Sequence, residues 1–327
     1  MWYRLLAALL VCVVLSGCST QPLREALSGK DEQKEEEKLH PFTGEKMKEE
    51  ATGPPLMVMV NNHSKARPQT GLNRADMLVE VLAEGGITRL AAFFYGEDEG
   101  RVGPIRSTRP YYLNLTKGPG AVVVHAGGSP AALNQIKSQS LASLDALNGE
   151  EEVFQRVDFR HPPHNLYSDL KQLLRKAAEK GYAKKAPDSP YRFNKQRETE
   201  GKAASRIEMT FHRLFKAGFR YDASSDQYIR YTEGKQHRDR LTDQALSADN
   251  VLVIRAPHQV IDASGRRKVE LTGKGEGMLF QGGKARVIRW EYRDGWIVPL
   301  VDGKVASFFP GKTWIHVLPE KGELSYR

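Results

Sequence analysis

The chain has 327 residues, a formal net charge of +9 and two cysteines, Cys12 and Cys18. With both cysteines at the start, the rest of the chain has no disulfide, no thiolate for zinc or an iron–sulfur cluster and no cysteine nucleophile, so any metal would rest on His and carboxylates. The charge is uneven: residues 31–50 carry a net −4 and residues 1–30 a net +2, so residues 51–327 carry +11, a basic body suited to an acidic partner or surface or simply well solvated.

Residues 1–17 read as a secretory signal peptide. Arg4 and the free amine supply the positive end, Leu5 to Leu15 the apolar stretch, and Ser16-Gly17 the small residues before a cut. A membrane-spanning helix needs about 20 apolar residues, more than this run has. Leu15-Ser16-Gly17-Cys18 therefore reads as the lipidation site of a bacterial lipoprotein, with Cys18 acylated and the body held at the extracytoplasmic face of the membrane. The expected partners are the bilayer, through Cys18, and an anionic envelope component or envelope protein, with no nucleic acid and no cofactor. Residues 18–52 form a polar tether with the charged tract Asp31 to Lys38, whose flexible reach is about 30 Å.

Order is expected from Pro55 onward. Leu56 to Val60 reads as a buried strand, and Met77 to Ala83 and Thr88 to Tyr95 as two strands of a hairpin across Glu84-Gly85-Gly86-Ile87. Arg109 to Thr116 suits a short helix. Ala121 to His125 is a further buried strand, leading through Gly127-Gly128 to a helix with Ser129 as N-cap and Pro130 at its first position. Ser168 is placed as the cap of another helix, in which Leu170, Leu173, Leu174 and Ala177 share one face before Gly181.

Residues 187–204 are polar and basic and read as a linker, which sets off an α/β N-terminal domain over 53–186. After residue 205 the pattern turns to alternation: Ile207, Met209 and Phe211, then Phe219 to Tyr221 and Tyr228 to Tyr231 around a polar turn at Ser224 to Asp226. Val251 to Ile254 is a continuous apolar run, and turns are expected at Gly273 to Gly277 and at Gly282-Gly283. The fold class is thus α+β or α/β in two domains, the second, 205–327, smaller and mainly β, with Trp290, Trp296 and Trp314 in its core.

Several phrases in the first domain form an ordered series: Asn62-His63, Ala66-Arg67-Pro68-Gln69, Gly71-Leu72, Ala75-Asp76, Glu84 to Arg89, Gly103 to Ser107, Arg109-Pro110-Tyr111 and His125 to Ser129. Pro163 to Tyr167, Gly275 to Gln281 and Pro310 to Trp314 continue it. On these residues the chain resembles the YerB-like lipoprotein family over nearly everything after the tether. The resemblance implies a two-domain lipoprotein with α and β structure and assigns no activity.

Three groups of residues are candidates for chemistry. The turn His125-Ala126-Gly127-Gly128-Ser129 before a helix suits an anion, or equally a plain N-cap with glycines for close packing. It is neither a phosphate loop, lacking Gly-Lys-Ser/Thr, nor a nucleophile elbow, because Pro130 offers no N–H for an oxyanion hole. Arg106, Ser107 and Arg109, with Arg67 and Arg89, offer forked donors for a carboxylate or phosphate, or pair internally with Asp76, Glu80 or Glu84. Asn62, His63, Gln69, His164 and Asn165 complete the expected ligand-binding set.

Glu80 and Glu84 are candidate catalytic acid and base beside His125 for a wall-directed hydrolase or transferase. Residues four apart on a strand lie about 13 Å apart, however, unless the chain bends at the glycines. His161-Pro162-Pro163-His164 cannot present two histidines from one helix, and His212, His237, His258 and His316 show no ligand spacing.

Overall fold

The computed structural model describes residues 38–47, 49–182 and 185–327, so the signal peptide, Cys18 and most of the tether lie outside the described residues. Strands β1 (Leu56–Asn61), β2 (Met77–Leu82) and β3 (Thr88–Phe94) form, as their apolar runs require, fully buried elements. Helix α1 (Pro110–Leu113) and its 3-10 extension lead to β4 (Val122–His125), α2 (Pro130–Ser138), β5 (Ser143–Asp145) and α3 (Leu170–Glu179). All three α-helices of the described residues precede position 187, and the described residues beyond it form strands, turns and loops.

The later strands are β6 (Arg206–His212), β7 (Phe215–Asp222), β8 (Gln227–Thr232), β9 (Asn250–Ala256), the small hairpin β10 (His258–Val260) and β11 (Arg267–Val269), then β12 (Lys274–Gln281), β13 (Lys284–Arg293), β14 (Trp296–Val301), β15 (Lys304–Val305), β16 (Thr313–Pro319) and β17 (Glu323–Tyr326). A 12-stranded sheet runs β15-β14-β13-β12-β9-β16-β2-β3-β1-β4-β5, with Lys202–Ala203 added at β13. The two expected halves share this sheet, because β16 pairs in parallel with β9 on one side and with β2 on the other. A second, six-stranded sheet contains β8, β7, β6 and β17.

Side chains of the large sheet alternate between two cores, as a pleated strand demands. Val58, Leu78, Leu82 and Trp314 face the second sheet and α3, burying Phe219, Tyr228 and Leu173 with them. Met57, Val79 and Ile315 face the other way, onto Tyr112 of α1, Ala132 of α2, and Trp290 and Trp296. The three tryptophans of the C-terminal half are thus core residues.

Four details differ from the sequence expectations. The expected tether extends to residue 52, yet Phe42 is fully buried, its ring 5.6 Å from Phe93 and 5.5 Å from Trp296, and His40 Nε2 lies 2.8 Å from the Tyr95 carbonyl. One aromatic side chain is enough to fix a charged strip of chain when a pocket exists for it. Within the expected linker, Tyr191 is buried against Trp296 and Phe308, which ties the segment to the core. The cap of α3 is Asp169, whose carboxylate accepts from the Lys171 N–H, whereas the Ser168 hydroxyl donates to Val153 O. Gly275 and Gly277 lie inside β12 and not in a turn. A Cβ at Gly275 would sit 2.8 Å from Trp290 Nε1, and one at Gly277 would sit 2.6 Å from Val253 O, so here glycine serves close approach of a neighbouring strand.

Candidate functional site

Six strands, β5, β4, β1, β2, β16 and β9, point the same way, with β3 running back between β1 and β2. Their carboxyl ends form one edge, the usual place for a ligand in a largely parallel sheet. The loop after Asn61, the turn Glu84 to Ile87, Arg89 opposite Asn61, and the turn after His125 all lie at this edge. Segment 103–109 is stitched between them: Asn61 N–H donates to Pro104 O, Arg106 N–H to Met59 O, Ala126 N–H to Arg106 O, and Thr108 N–H to Gly127 O. Topology thus gathers most of the phrases singled out in the sequence.

The arginines divide into paired and unpaired. Arg109 Nε is ion-paired with Glu84 and Arg109 Nη1 donates to Thr108 O at 2.6 Å. Arg89 donates to Ser107 O at 2.7 Å and stands 3.5 Å from Glu84, so Ser107 contributes its carbonyl. Glu84 is held ionised: burial pushes its carboxyl up, but Arg109 and Arg89 bring it below the ordinary carboxylate value. Arg67 pairs with Glu233 at 2.6 Å, a partner from the other half of the chain.

Arg106 is different. Its guanidinium is half-buried and, among the described residues, meets no carboxylate and no hydrogen-bond acceptor. Burial and the neighbouring Arg89 and Arg109 charges lower its affinity for a proton, with only Glu84 opposing. His63 and His164 stack close by, ring centroids 4.8 Å apart, and Asn61 Nδ2 lies 2.8 Å from His164 Nδ1. Burial first, then the surrounding cations, Arg106 among them, keep both imidazoles neutral to lower pH than usual. Asn165, by contrast, is used internally, accepting from Arg156 at 3.0 Å and donating to Val157 O at 3.1 Å.

The glycine turn is a cap and packing device. Gly127 N–H already donates to Asp145 at 2.7 Å, Ser129 Oγ accepts from Ala132 N–H at 3.2 Å, and Pro130 has no N–H. Gly127 has a positive φ of 63°, which favours glycine, and a Cβ at Gly128 would press to 3.1 Å from Leu133. Of the two readings open in the sequence, the geometry fits the cap; the turn's backbone donors are largely spoken for.

Glu80 and His125 do not meet as acid and base. Both His125 nitrogens are engaged, at 2.8 Å from Gly127 O and 2.8 Å from Ser143 Oγ, in a fully buried position. Glu80 is also fully buried, facing the second sheet, where Thr88 donates to it at 2.6 Å, Asn62 at 3.1 Å and Arg230 at 2.6 Å, with His316 Nδ1 3.0 Å away. Burial alone would raise its carboxyl, but Arg230 and His316 hold it down to about 2. His316 is itself pushed down to about 4 by burial, so it is neutral at pH 7 and Arg230 balances the Glu80 charge. The Arg230 guanidinium lies between Trp314, at 4.6 Å, and Phe219, at 5.2 Å.

The network continues through Asn62 Oδ1, which accepts from Gln69 Nε2 at 2.9 Å, to His237, whose Nε2 is 2.6 Å from Gln69 Oε1. Asn62, Gln69 and Glu80 therefore join the two halves of the chain. Sequence reasoning missed Arg230, His237 and His316. The one available signal was alternation in β8, which turns Tyr228, Arg230 and Thr232 inward together.

Residues 42–183 match the family described as "Protein of unknown function (DUF3048) N-terminal domain", and residues 207–315 match its C-terminal domain. The chain is 37% identical over 287 residues, 86% of each chain, to a Bacillus subtilis (strain 168) protein named "Putative lipoprotein YerB". It superposes on the crystal structure of the Bacillus subtilis YerB protein with a TM-score of 0.80 at 36% identity, covering 88% of this chain and 100% of that one.

Proposed function

Because this chain belongs to the DUF3048 family, we propose that it is a lipid-anchored protein of the extracytoplasmic membrane face that binds an anionic envelope component at the carboxyl edge of its large sheet. One observation carries the binding reading: among the described residues, Arg106 keeps a half-buried guanidinium without a protein partner, near Arg89 and Arg109, with Glu84 the single carboxylate acting on it. A site with three arginines and one acid is one negative group or more short of balance, and a carboxylate or phosphate supplies it in the forked geometry arginine favours. His63 and His164 would flank that group as neutral donors.

Anchoring is supported by Leu15-Ser16-Gly17-Cys18 and by the lipoprotein name of the Bacillus relative. In a bacterial host, Cys18→Ala is expected to abolish incorporation of labelled fatty acid and to move the protein from the membrane to the soluble extracytoplasmic fraction. Retention of label in that variant would remove the anchor from the proposal.

For the site, the test is calorimetric titration of the full chain with phosphate, citrate and wall-derived acidic peptides. Arg106→Ala should weaken the anion that binds by about tenfold or more, the worth of one charged hydrogen-bond pair, and Arg106→Lys should recover part of it. Equal binding by wild type and Arg106→Ala, or no binding of any of the three, would remove the site. The wall-hydrolase reading has less support, since Glu80 is sealed from solvent and Glu84 is bound by two arginines.

A further inference from the structure

A cleft that shares Arg109 with this site lies between the starts of α1 and α2 and the β10–β11 hairpin. It has a volume of about 460 Å³, within the range of small-molecule sites, roughly 300–1,000 Å³. Its walls include Pro110, Tyr111, Pro130, Ile261 and Val269, and its cations include Arg267 and Lys268 from the hairpin. We propose that this cleft binds a small amphiphilic anion, an apolar carbon body carrying one carboxylate or phosphate.

Two observations that do not depend on Arg106 point to the acidic end. Tyr111 lines the cleft and is 3% exposed, yet its hydroxyl is buried with no hydrogen-bond partner. A buried hydroxyl without a partner costs free energy that an incoming acceptor would recover. Burial pushes that hydroxyl up to about 12, so it is a phenol ready to donate. The charged groups that act on it are Arg89, Glu84, Arg109 and Arg267. Glu84 is taken by Arg89 and Arg109, whereas Arg267 makes a single backbone bond, Nε to Ala83 O at 3.1 Å, and meets no carboxylate among the described residues.

The apolar end is set by the opposite wall. Ile261 at the hairpin turn lines the cleft and is 56% exposed, and a ligand lying beneath the turn would cover apolar surface that is otherwise in water. Asp262 and Glu270, the two acids of the lining, are already engaged, by Arg266 at 3.2 Å and by the Thr272 hydroxyl respectively.

The experiment is calorimetric titration of the full chain with octanoate, octyl phosphate, 1-octanol and inorganic phosphate. Octanoate or octyl phosphate should bind about tenfold or more tighter than octanol and than phosphate alone, and the stronger of the two identifies the head group. Ala131→Trp, at an exposed helix position on the cleft wall, should abolish binding by filling the space. Tyr111→Phe and Arg267→Gln should each weaken it about fivefold to tenfold, and Tyr111→Phe should not lower the melting temperature and should tend to raise it, because its buried hydroxyl has no partner among the described residues. Arg106→Ala should bind the amphiphile as wild type does, which separates this site from the anion site above. The proposal is overturned if no amphiphile binds, if phosphate alone binds as well as octyl phosphate, or if Ala131→Trp binds normally.

Discussion

Replacing Arg230 by methionine should lower the stability of the protein by about 3–5 kcal/mol, the usual cost of stripping one partner from a buried ion pair. Glu80 would keep Thr88 and Asn62 as donors, but the charge balancing it would be gone, and its neighbour His316 is neutral at pH 7. Methionine preserves apolar bulk between Trp314 and Phe219, so the loss reports the charge rather than a cavity. Adding Glu80→Gln to Arg230→Met should restore part of the loss, since the uncompensated carboxylate is then absent. Urea unfolding of the four chains of this double-mutant cycle measures the coupling. A single-variant loss below about 1 kcal/mol would mean that the pair does not join the two halves as its burial implies.

The second large effect is with pH. His316 and His237 have folded-state values of about 4 and about 3, both below the ordinary 6.5, with burial as the leading cause. Between pH 6.5 and about 4 the unfolded chain takes up protons that the folded chain refuses, so stability falls as the pH drops through that window. By pH 4 each histidine has removed on the order of 3 kcal/mol. Glu80 acts in the same direction lower down: the stabilisation of its carboxylate is complete above 4.5 and is lost as pH falls toward about 2. Urea midpoints measured from pH 7.5 to 4 should therefore decline steeply below 6.5. His237→Gln, which keeps a side chain able to bond Gln69, should make the slope shallower, with His316, His258 and the other histidines depressed by burial carrying the rest. A flat profile would show that these histidines are not buried neutral.

Much of the architecture was legible because it rests on local pattern. The apolar runs of β1, β2, β3, β4 and β9, the Ser129-Pro130 helix start and the alternation in β6 to β8 all report directly on backbone state. Pairing at long range could not be read. The partner of Glu80 lies 150 residues away in sequence, and the partner of Arg67 lies 166 away. Both arginines look like ordinary strand or loop cations until two sheets are stacked. Gly275 and Gly277 misled for a related reason: the feature that demands glycine there is Trp290 or the Val253 carbonyl on adjacent strands, not their own turn. At the candidate site the gathering of phrases was visible as an ordered series, but its division into a buried network, a cap and one unpartnered arginine is a property of the fold.

The place of β16 also bears on how this protein comes into being. A polypeptide made from its amino end presents β2 and β9 long before residues 313–319 arrive to lie between them. Until then both strands have an open edge, and the sheet of the first half cannot join that of the second. The large sheet is therefore completed only when almost the last residues of the chain are in place. A product cut short by a few tens of residues lacks the strand that makes the large sheet continuous.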